Sequence, residues 1–278
     1  MLRTFTYSAL VLRVRPTGES NREVTFLTAE EGIIRATVFG GPKSKLRAHT
    51  APYHQGTVWI YRDPAKDFNK VTDFDVRFWR PGLRERYERA MAAAALAETI
   101  LAAHGGGGAW SDALNLAAAT LDALETADEG ALRRMVIHFL WHWADILGFR
   151  PDLTRCASCG TIYAGQEVYG QEVYGQEVRR DSRADGVVWY SRREGSIICP
   201  ACAGLSDDEA ALVAPDLAAD FLPVGPGTRR WLATAENLKA AMLTRFTMDK
   251  ASEAEAKALA TAVLAGALGK RLSTWDGV

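Results

Sequence analysis

Residues 5–14, Phe5-Thr6-Tyr7-Ser8-Ala9-Leu10-Val11-Leu12-Arg13-Val14, decide how the first part of this chain is read. Phe5, Tyr7, Ala9 and Val11 alternate with Leu10, Leu12 and Val14, so both sets of side chains carry apolar groups. That pattern fits a strand partly buried on both faces. Pro16-Thr17-Gly18 punctuates it, and further strand-like runs follow at 22–27, 33–39, 58–61 and 71–79. Glu30-Glu31-Gly32, Gly40-Gly41-Pro42 and Asp63-Pro64 stand between these runs as turn signals. Five short strands in about eighty residues without a long helix predict a small barrel.

The same segment is basic. Residues 1–80 carry 13 Lys and Arg against 8 Asp and Glu, a net of +5, whereas the remainder carries 20 against 26, a net of −6. A basic module on an acidic body points to phosphate neutralisation. Arg13, Arg15, Arg22 and Arg35 fall on or beside the strands, and Lys43-Ser44-Lys45-Leu46-Arg47 places three cations just after two glycines. A barrel core has no use for these cations, so they are the candidate nucleic-acid contacts. The aromatics Trp59, Tyr61, Phe74, Phe78 and Trp79 read chiefly as core, with base stacking as the alternative.

After Arg80-Pro81-Gly82 the pattern becomes helical. Helices are expected over 83–103, ended by the glycines at 105–108, over 113–125 with Ser111 and Asp112 at its start, and over 132–147 with Asp128 as cap. Further helices are expected over 228–246 and 253–272, the second opened by the capping pattern Ser252-Glu253-Ala254-Glu255. Ser206-Asp207-Asp208-Glu209 shows the same capping pattern. His138 and His142 are one helical turn apart, but Phe139 stands where a metalloprotease helix needs Glu, so both read as packing residues. The repeated Gln-Glu-Val-Tyr-Gly over 166–178 has a period matching neither helix nor strand and reads as a surface expansion.

All four cysteines sit in two C-x-x-C pairs, Cys156/Cys159 and Cys199/Cys202. Two such knuckles suit one structural Zn2+ held by four thiolates. Disulfides compete, and compartment decides between them: no leader is visible, and the longest uncharged apolar run, 258–269, is too short to span a bilayer. A reducing cytoplasm with no membrane contact is therefore expected, which favours the metal. A thioredoxin-like redox pair leaves the second C-x-x-C unexplained. No P-loop, nucleophile elbow or dinucleotide fingerprint is present, so an enzyme is not expected.

Several stretches resemble the DNA repair protein RecO family. They are residues 9–20, Val24-Thr25-Phe26-Leu27-Thr28, Gly32-Ile33-Ile34-Arg35, Gly40 onward to Lys45, and Leu147-Gly148-Phe149-Arg150-Pro151-Asp152-Leu153 running into the first knuckle. The return Gly195-Ser196-Ile197-Ile198-Cys199 fits as well. The resemblance implies an α+β chain: a five-stranded OB-fold barrel over 1–80, then a helical domain over 81–278 carrying a four-cysteine zinc finger at about 150–205. It implies a recombination mediator that binds single- and double-stranded DNA, anneals complementary strands, and with RecR loads RecA onto strands coated by single-strand-binding protein. The acidic tail of that protein is expected to dock on the helical domain, with the Lys270–Arg271 region as the suggested place. The implied location is the bacterial cytoplasm, at the nucleoid during repair. The rival expectation is a zinc-stapled protein-interaction scaffold without direct DNA binding.

Overall fold

The computed structural model describes residues 3–41, 44–163, 186–204 and 220–277. Five strands open the chain: β1 Thr4–Thr17, β2 Asn21–Thr28, β3 Gly32–Val38, β4 Gln55–Asp63 and β5 Phe68–Phe78. They close into a barrel in the order β1-β2-β3-β5-β4, with β4 returning to β1. A short helix, α1 Lys45–His49, lies between β3 and β4. The expected five strands are all present, and β1 takes in Pro16 and ends at Thr17, within the Pro16-Thr17-Gly18 signal.

Alternation explains the barrel core. Tyr7, Ala9 and Val11 from β1, Val24 and Phe26 from β2, and Ile34, Ala36 and Val38 from β3 point inward and meet Val58, Ile60, Val71 and Phe74. A register shift between Val11 and Arg13 moves the inward parity of β1 by one, so Val14 continues the core while Arg13 and Arg15 face out. Leu46 of α1 packs on one end of this core. The outer residues Leu27 and Ile33 are near enough to Gly105 that a Cβ there would meet both, at 3.4 and 3.0 Å. The seam between β3 and β5 is parallel and short, with Thr37 opposite Lys70.

The exit from the barrel is fixed by Arg80. Its backbone is left-handed (φ 45°). Its guanidinium is almost wholly buried, donating to Asp122 Oδ1 at 2.6 Å, to Gln55 Oε1 at 2.6 Å and to the Tyr53 carbonyl at 2.9 Å. Helices α2 Tyr87–Ala102, α3 Trp110–Thr126 and α4 Glu129–Ile146 follow a short 3-10 turn at Pro81–Arg84. Asp128 caps α4 through the Ala131 amide at 2.7 Å, as its position predicts. The start of α3 differs from expectation: Ala109 precedes it without a side-chain cap, and Asp112 lies in its first turn.

The chain divides into two compact units, residues 1–139 with 272–278, and residues 140–271. In the first unit the chain's last turn packs on α2: Trp275 is fully buried and its indole donates to Thr99 Oγ1 at 2.9 Å, while Thr274 donates to Glu98. The second unit contains β6 Val188–Ser191, β7 Ser196–Ile198 and β8 Phe221–Val224 in the order β7-β6-β8. This antiparallel sheet sits within the largely helical remainder and was not expected there. Helix α5 Pro200–Ala203 comes after β7 and before β8, and α6 Pro226–Ala235 follows β8. The long helix α7 is Lys250–Leu268.

The helix expected over 228–246 is broken. After α6 the chain turns near Glu236–Lys239 and resumes as a 3-10 helix, Ala240–Arg245. The cap of α7 is Asp249, which accepts from the Ser252 amide at 2.9 Å, so Ser252 lies inside the first turn. The pentapeptide repeat, the Ser206 capping pattern and Lys43 lie outside the described residues. None of the helices among the described residues is long and apolar enough to cross a membrane.

Candidate metal centre and nucleic-acid interface

The four sulfurs of Cys156, Cys159, Cys199 and Cys202 lie within 4.8 Å of one another. Backbone turns bring them there. Gly160 (φ 72°) accommodates the left-handed step after the first knuckle and Gly204 (φ 70°) the step after the second. The Gly160 amide donates to the Cys156 carbonyl at 2.9 Å and the Ala203 amide to the Cys199 carbonyl at 3.0 Å. The two knuckles are tied by the Ala157 amide donating to the Ile197 carbonyl at 2.9 Å. The Cys199 amide approaches Cys156 Sγ at 3.3 Å. The β6–β7 hairpin, turning at Gly195, delivers Cys199 directly after Ile198.

These donors fit a tetrahedral ion. Thiolates at about 2.3 Å from a Zn2+ stand about 3.8 Å apart, and Cys159 Sγ lies 3.8 Å from Cys199 Sγ. Hydrogen bonding from the Thr161 side chain and then its backbone draws the Cys159 thiol down to about 6, whereas burial pushes Cys199 and Cys202 up. Tyr163 Oη is buried beside Cys156. Burial, and next the charge of nearby Cys156, raises its phenol pKa. A thiolate cluster would supply that hydroxyl with an acceptor, as outer-shell groups do at metal sites. The Arg229 guanidinium lies 5.0 Å from the Tyr163 ring centroid and donates to the Gly186 carbonyl, so the platform beneath the cysteines is braced. His138 is buried and His142 Nε2 sits 3.3 Å from the Ala235 carbonyl oxygen. Neither histidine joins a metal-competent group among the described residues.

On the barrel, strand register sorts the predicted cations. Arg13 lies opposite Thr25, and Thr25 opposite Arg35, making one row across three strands. The neighbouring row runs Arg15, Glu23, Thr37 and Lys70 across four strands. Burial first, then the positive charges of Arg15 and Arg35, lower the Arg13 pKa, while Glu23 and Glu98 act the other way, so the three arginines are near neighbours on an outer face that also carries carboxylates. Arg22 does not join them. Its parity is that of Val24 and Phe26, and it pairs with Val38 at the end of the barrel from which the chain leads to α1. Lys45 and Arg47 sit on α1 itself. The seven candidates therefore separate into an outer-face group, an end group and Lys43, which is outside the described residues.

Of the aromatics, Phe74 is fully buried, while Phe78 and Trp79 are exposed. Trp79 stands edge-on to His49 and His54 at 5.4 and 4.8 Å. Missed by the sequence reading are Phe39 and Phe68, whose rings meet edge-to-face at 5.9 Å, and Lys70, whose ammonium lies 5.4 Å from the Phe39 centroid. Only the β3–β5 pairing brings these three together, and no local pattern announces it.

A closed five-stranded barrel in this strand order, with a helix between β3 and β4, is an oligonucleotide-binding type of barrel. Here it is joined to a largely helical remainder in which four cysteines cluster as a possible metal site. The chain belongs to the RecO family: the models for the Recombination protein O N terminal and C terminal match residues 1–77 and 84–276. It is similar to the DNA repair protein RecO of Desulfitobacterium hafniense, with 29% identity over 64% of each chain. It is also similar to that of Rubrobacter xylanophilus, with 30% identity over 63% of this chain and 70% of the relative. The matched stretch thus spans a little under two thirds of the Desulfitobacterium protein.

Proposed function

We propose that this chain is a non-catalytic DNA repair mediator that binds single- and double-stranded DNA through the outer face of its barrel. The observation that carries the reading is the placement of Arg13, Arg15 and Arg35 on two neighbouring rows of the outer face of an OB-type barrel in a RecO-family chain. Arginines on two adjacent rows neutralise phosphates and lower the repulsion between two strands, which suits annealing. Lys45, Arg47 and Arg22 lie toward the α1 end of the barrel and would add further phosphate contacts, and Lys43 is proposed with them on its sequence alone. Residues 1–80 would form the DNA-binding domain and 81–278 the helical domain, with the metal module at about 150–205.

The metal is one Zn2+ bound by Cys156, Cys159, Cys199 and Cys202. It supplies no chemistry beyond closing the module, because four thiolates leave no open position. Together with RecR the chain would help load RecA onto strands coated by single-strand-binding protein, in the cytoplasm at the nucleoid. The acidic tail of that protein calls for a basic site. The groove lined by Glu88, Glu129, Arg133 and Asp276 is the wrong sign for it, and the exposed Lys270 and Arg271 suit it better.

A salt titration tests the reading. Replacing Arg13, Arg15 and Arg35 together by Ala should weaken oligonucleotide binding and make the log–log salt slope shallower by about 2, at about 0.7 per single-strand phosphate contact. An unchanged slope assigns the phosphate contacts elsewhere, and no oligonucleotide binding by the unaltered chain leaves the scaffold alternative.

A further inference from the structure

Where β3 meets β5 the barrel is closed by very little. Thr37 opposite Lys70 is their one paired position among the described residues. Run back along both strands, that parallel register brings Arg35 level with Phe68, where β5 begins, and Ile33 level with Lys66, in the turn before it. β3 therefore outruns its neighbour. On its other side it is fully engaged, paired with β2 from Gly32 to Val38.

Backbone groups of successive residues in such a strand point to opposite edges. The Arg35 carbonyl accepts from Asn69 Nδ2 at 3.0 Å, so Arg35 turns toward β5, and Ile33 and Thr37 turn with it. The Ala29 amide fixes the same phase from the far side. It donates to the Ser8 carbonyl of β1, which leaves Thr28, Phe26 and Val24 to bond Gly32, Ile34 and Ala36. The N–H and C=O of Ile33 and the N–H of Arg35 thus face a stretch of seam that β5 does not reach. Beside them opens a cavity of about 630 Å³, lined by β3 from Ile33 to Thr37 and by Asp63, Pro64 and Asp67 across from it. Those five residues of β3 give about 13 Å of strand. An edge of this kind is a template for a further chain.

Charge says which chain. The cavity sets Glu23, Glu31, Asp63 and Asp67 against Arg35 and Arg62, and Arg62 is already bound to Glu31 at 2.6 Å. Lys70 does not offset this excess, because its ammonium lies over the Phe39 ring. A second copy offering its own β3 would bring like charges together.

We infer that the β3 edge is a docking site for an extended, basic segment of a partner protein, which adds to the barrel as a sixth strand. Its backbone bonds to Ile33 and Arg35, and lysines or arginines at alternate positions meet the carboxylates of the wall. Docking uses the backbone of Arg35 and leaves its side chain in the outer row with Thr25 and Arg13. It stands whether or not the barrel binds DNA.

The test uses the full chain and a capped heptapeptide that alternates Lys and Val. A second version carries a methyl group on every backbone amide, which keeps the charge and removes every backbone donor. It should bind at least about tenfold more weakly. A Glu-Val heptapeptide should be weaker by a similar factor. Equal affinity of either control, or no binding of the Lys-Val peptide, overturns the inference. Asp63→Asn with Asp67→Asn thins the acidic wall while sparing the turn. Asp63 Oδ1 accepts from the Ala65 amide, as Asn can, and Asp67 holds a left-handed backbone (φ 45°) that Asn tolerates. This variant should lose several-fold in affinity for the Lys-Val peptide, and an unchanged affinity moves the peptide off this wall and overturns the site. Amide hydrogen exchange reads the edge without any variant. In the free chain Ile33 should exchange faster than Ile34, and the peptide should slow it. Equal protection of the two in the free chain, or no slowing on binding, also overturns the inference. Slowing at Ile33 with rising chain concentration alone would give the edge to a second copy and overturn the foreign partner.

Discussion

Cys156 and Cys199 are buried, whereas Cys159 and Cys202 face solvent, so the two knuckles share one inner and one outer sulfur each. The spacing of these residues was legible in the sequence because a C-x-x-C turn is local. The buried hydroxyl of Tyr163 was not, because only the fold brings it beside them. A thiol must lose its proton to bind a metal, so metal retention should fall as pH falls, and the affinity lost on acidification should recover on return to neutrality. If the four cysteines hold zinc as proposed, replacing Cys156 by Ser should abolish the zinc found by metal analysis and expose sites between residues 150 and 204 to limited proteolysis. DNA binding through the barrel should persist. Loss of DNA binding in a metal-free variant that resists protease would place the finger itself on DNA.

Strands and their register make up the next scale. Apolar runs between turn signals identified all five barrel strands, β1 by apolar groups on both faces and β2 by alternation around Val24 and Phe26. That alternation also contained the separate place of Arg22, whose parity with Val24 and Phe26 can be counted along the chain. The break after α6 was not legible. Leu232, Ala235 and Leu243 are buried on both sides of it, so the apolar spacing runs on while the backbone stops. Helix starts were misplaced for a related reason: Asp249 and Ser252 both suit a cap, and only the bond from the Ser252 amide to Asp249 decides between them. At Gly56 the structure makes a sharp demand. The β4–β5 register shifts between Gln55 and Gly56, and a Cβ there would sit 1.9 Å from the Asp75 carbonyl oxygen. Since that neighbour is backbone, it cannot swing aside. Gly56→Ala should therefore lower the urea midpoint, at a cost of at least about 2–3 kcal/mol. A variant with wild-type stability would show that the two strands separate easily at this point.

At the scale of the whole molecule, one unit is assembled from both ends of the sequence. Residues 272–278 belong with residues 1–139, and Trp275 is the anchor, fully buried and bonded to Thr99 across 176 positions. Trp275→Ala should destabilise this unit by about 3–5 kcal/mol, the usual cost of deleting a buried indole. Chemical denaturation should show it as a loss of cooperativity in the barrel-bearing unit, with zinc content unchanged. An unaffected midpoint would mean that the return segment is ornamental.

That return segment also sets an order in time. A ribosome finishes residue 139 long before residue 275, and at about 5–20 residues per second the interval is on the order of ten seconds. During it, α2 presents the unfilled seat of an indole, and the nascent barrel-bearing unit waits for a side chain not yet made. Trp275 is thus the latch of the unit that was begun first, supplied only after the whole of the second unit has been made.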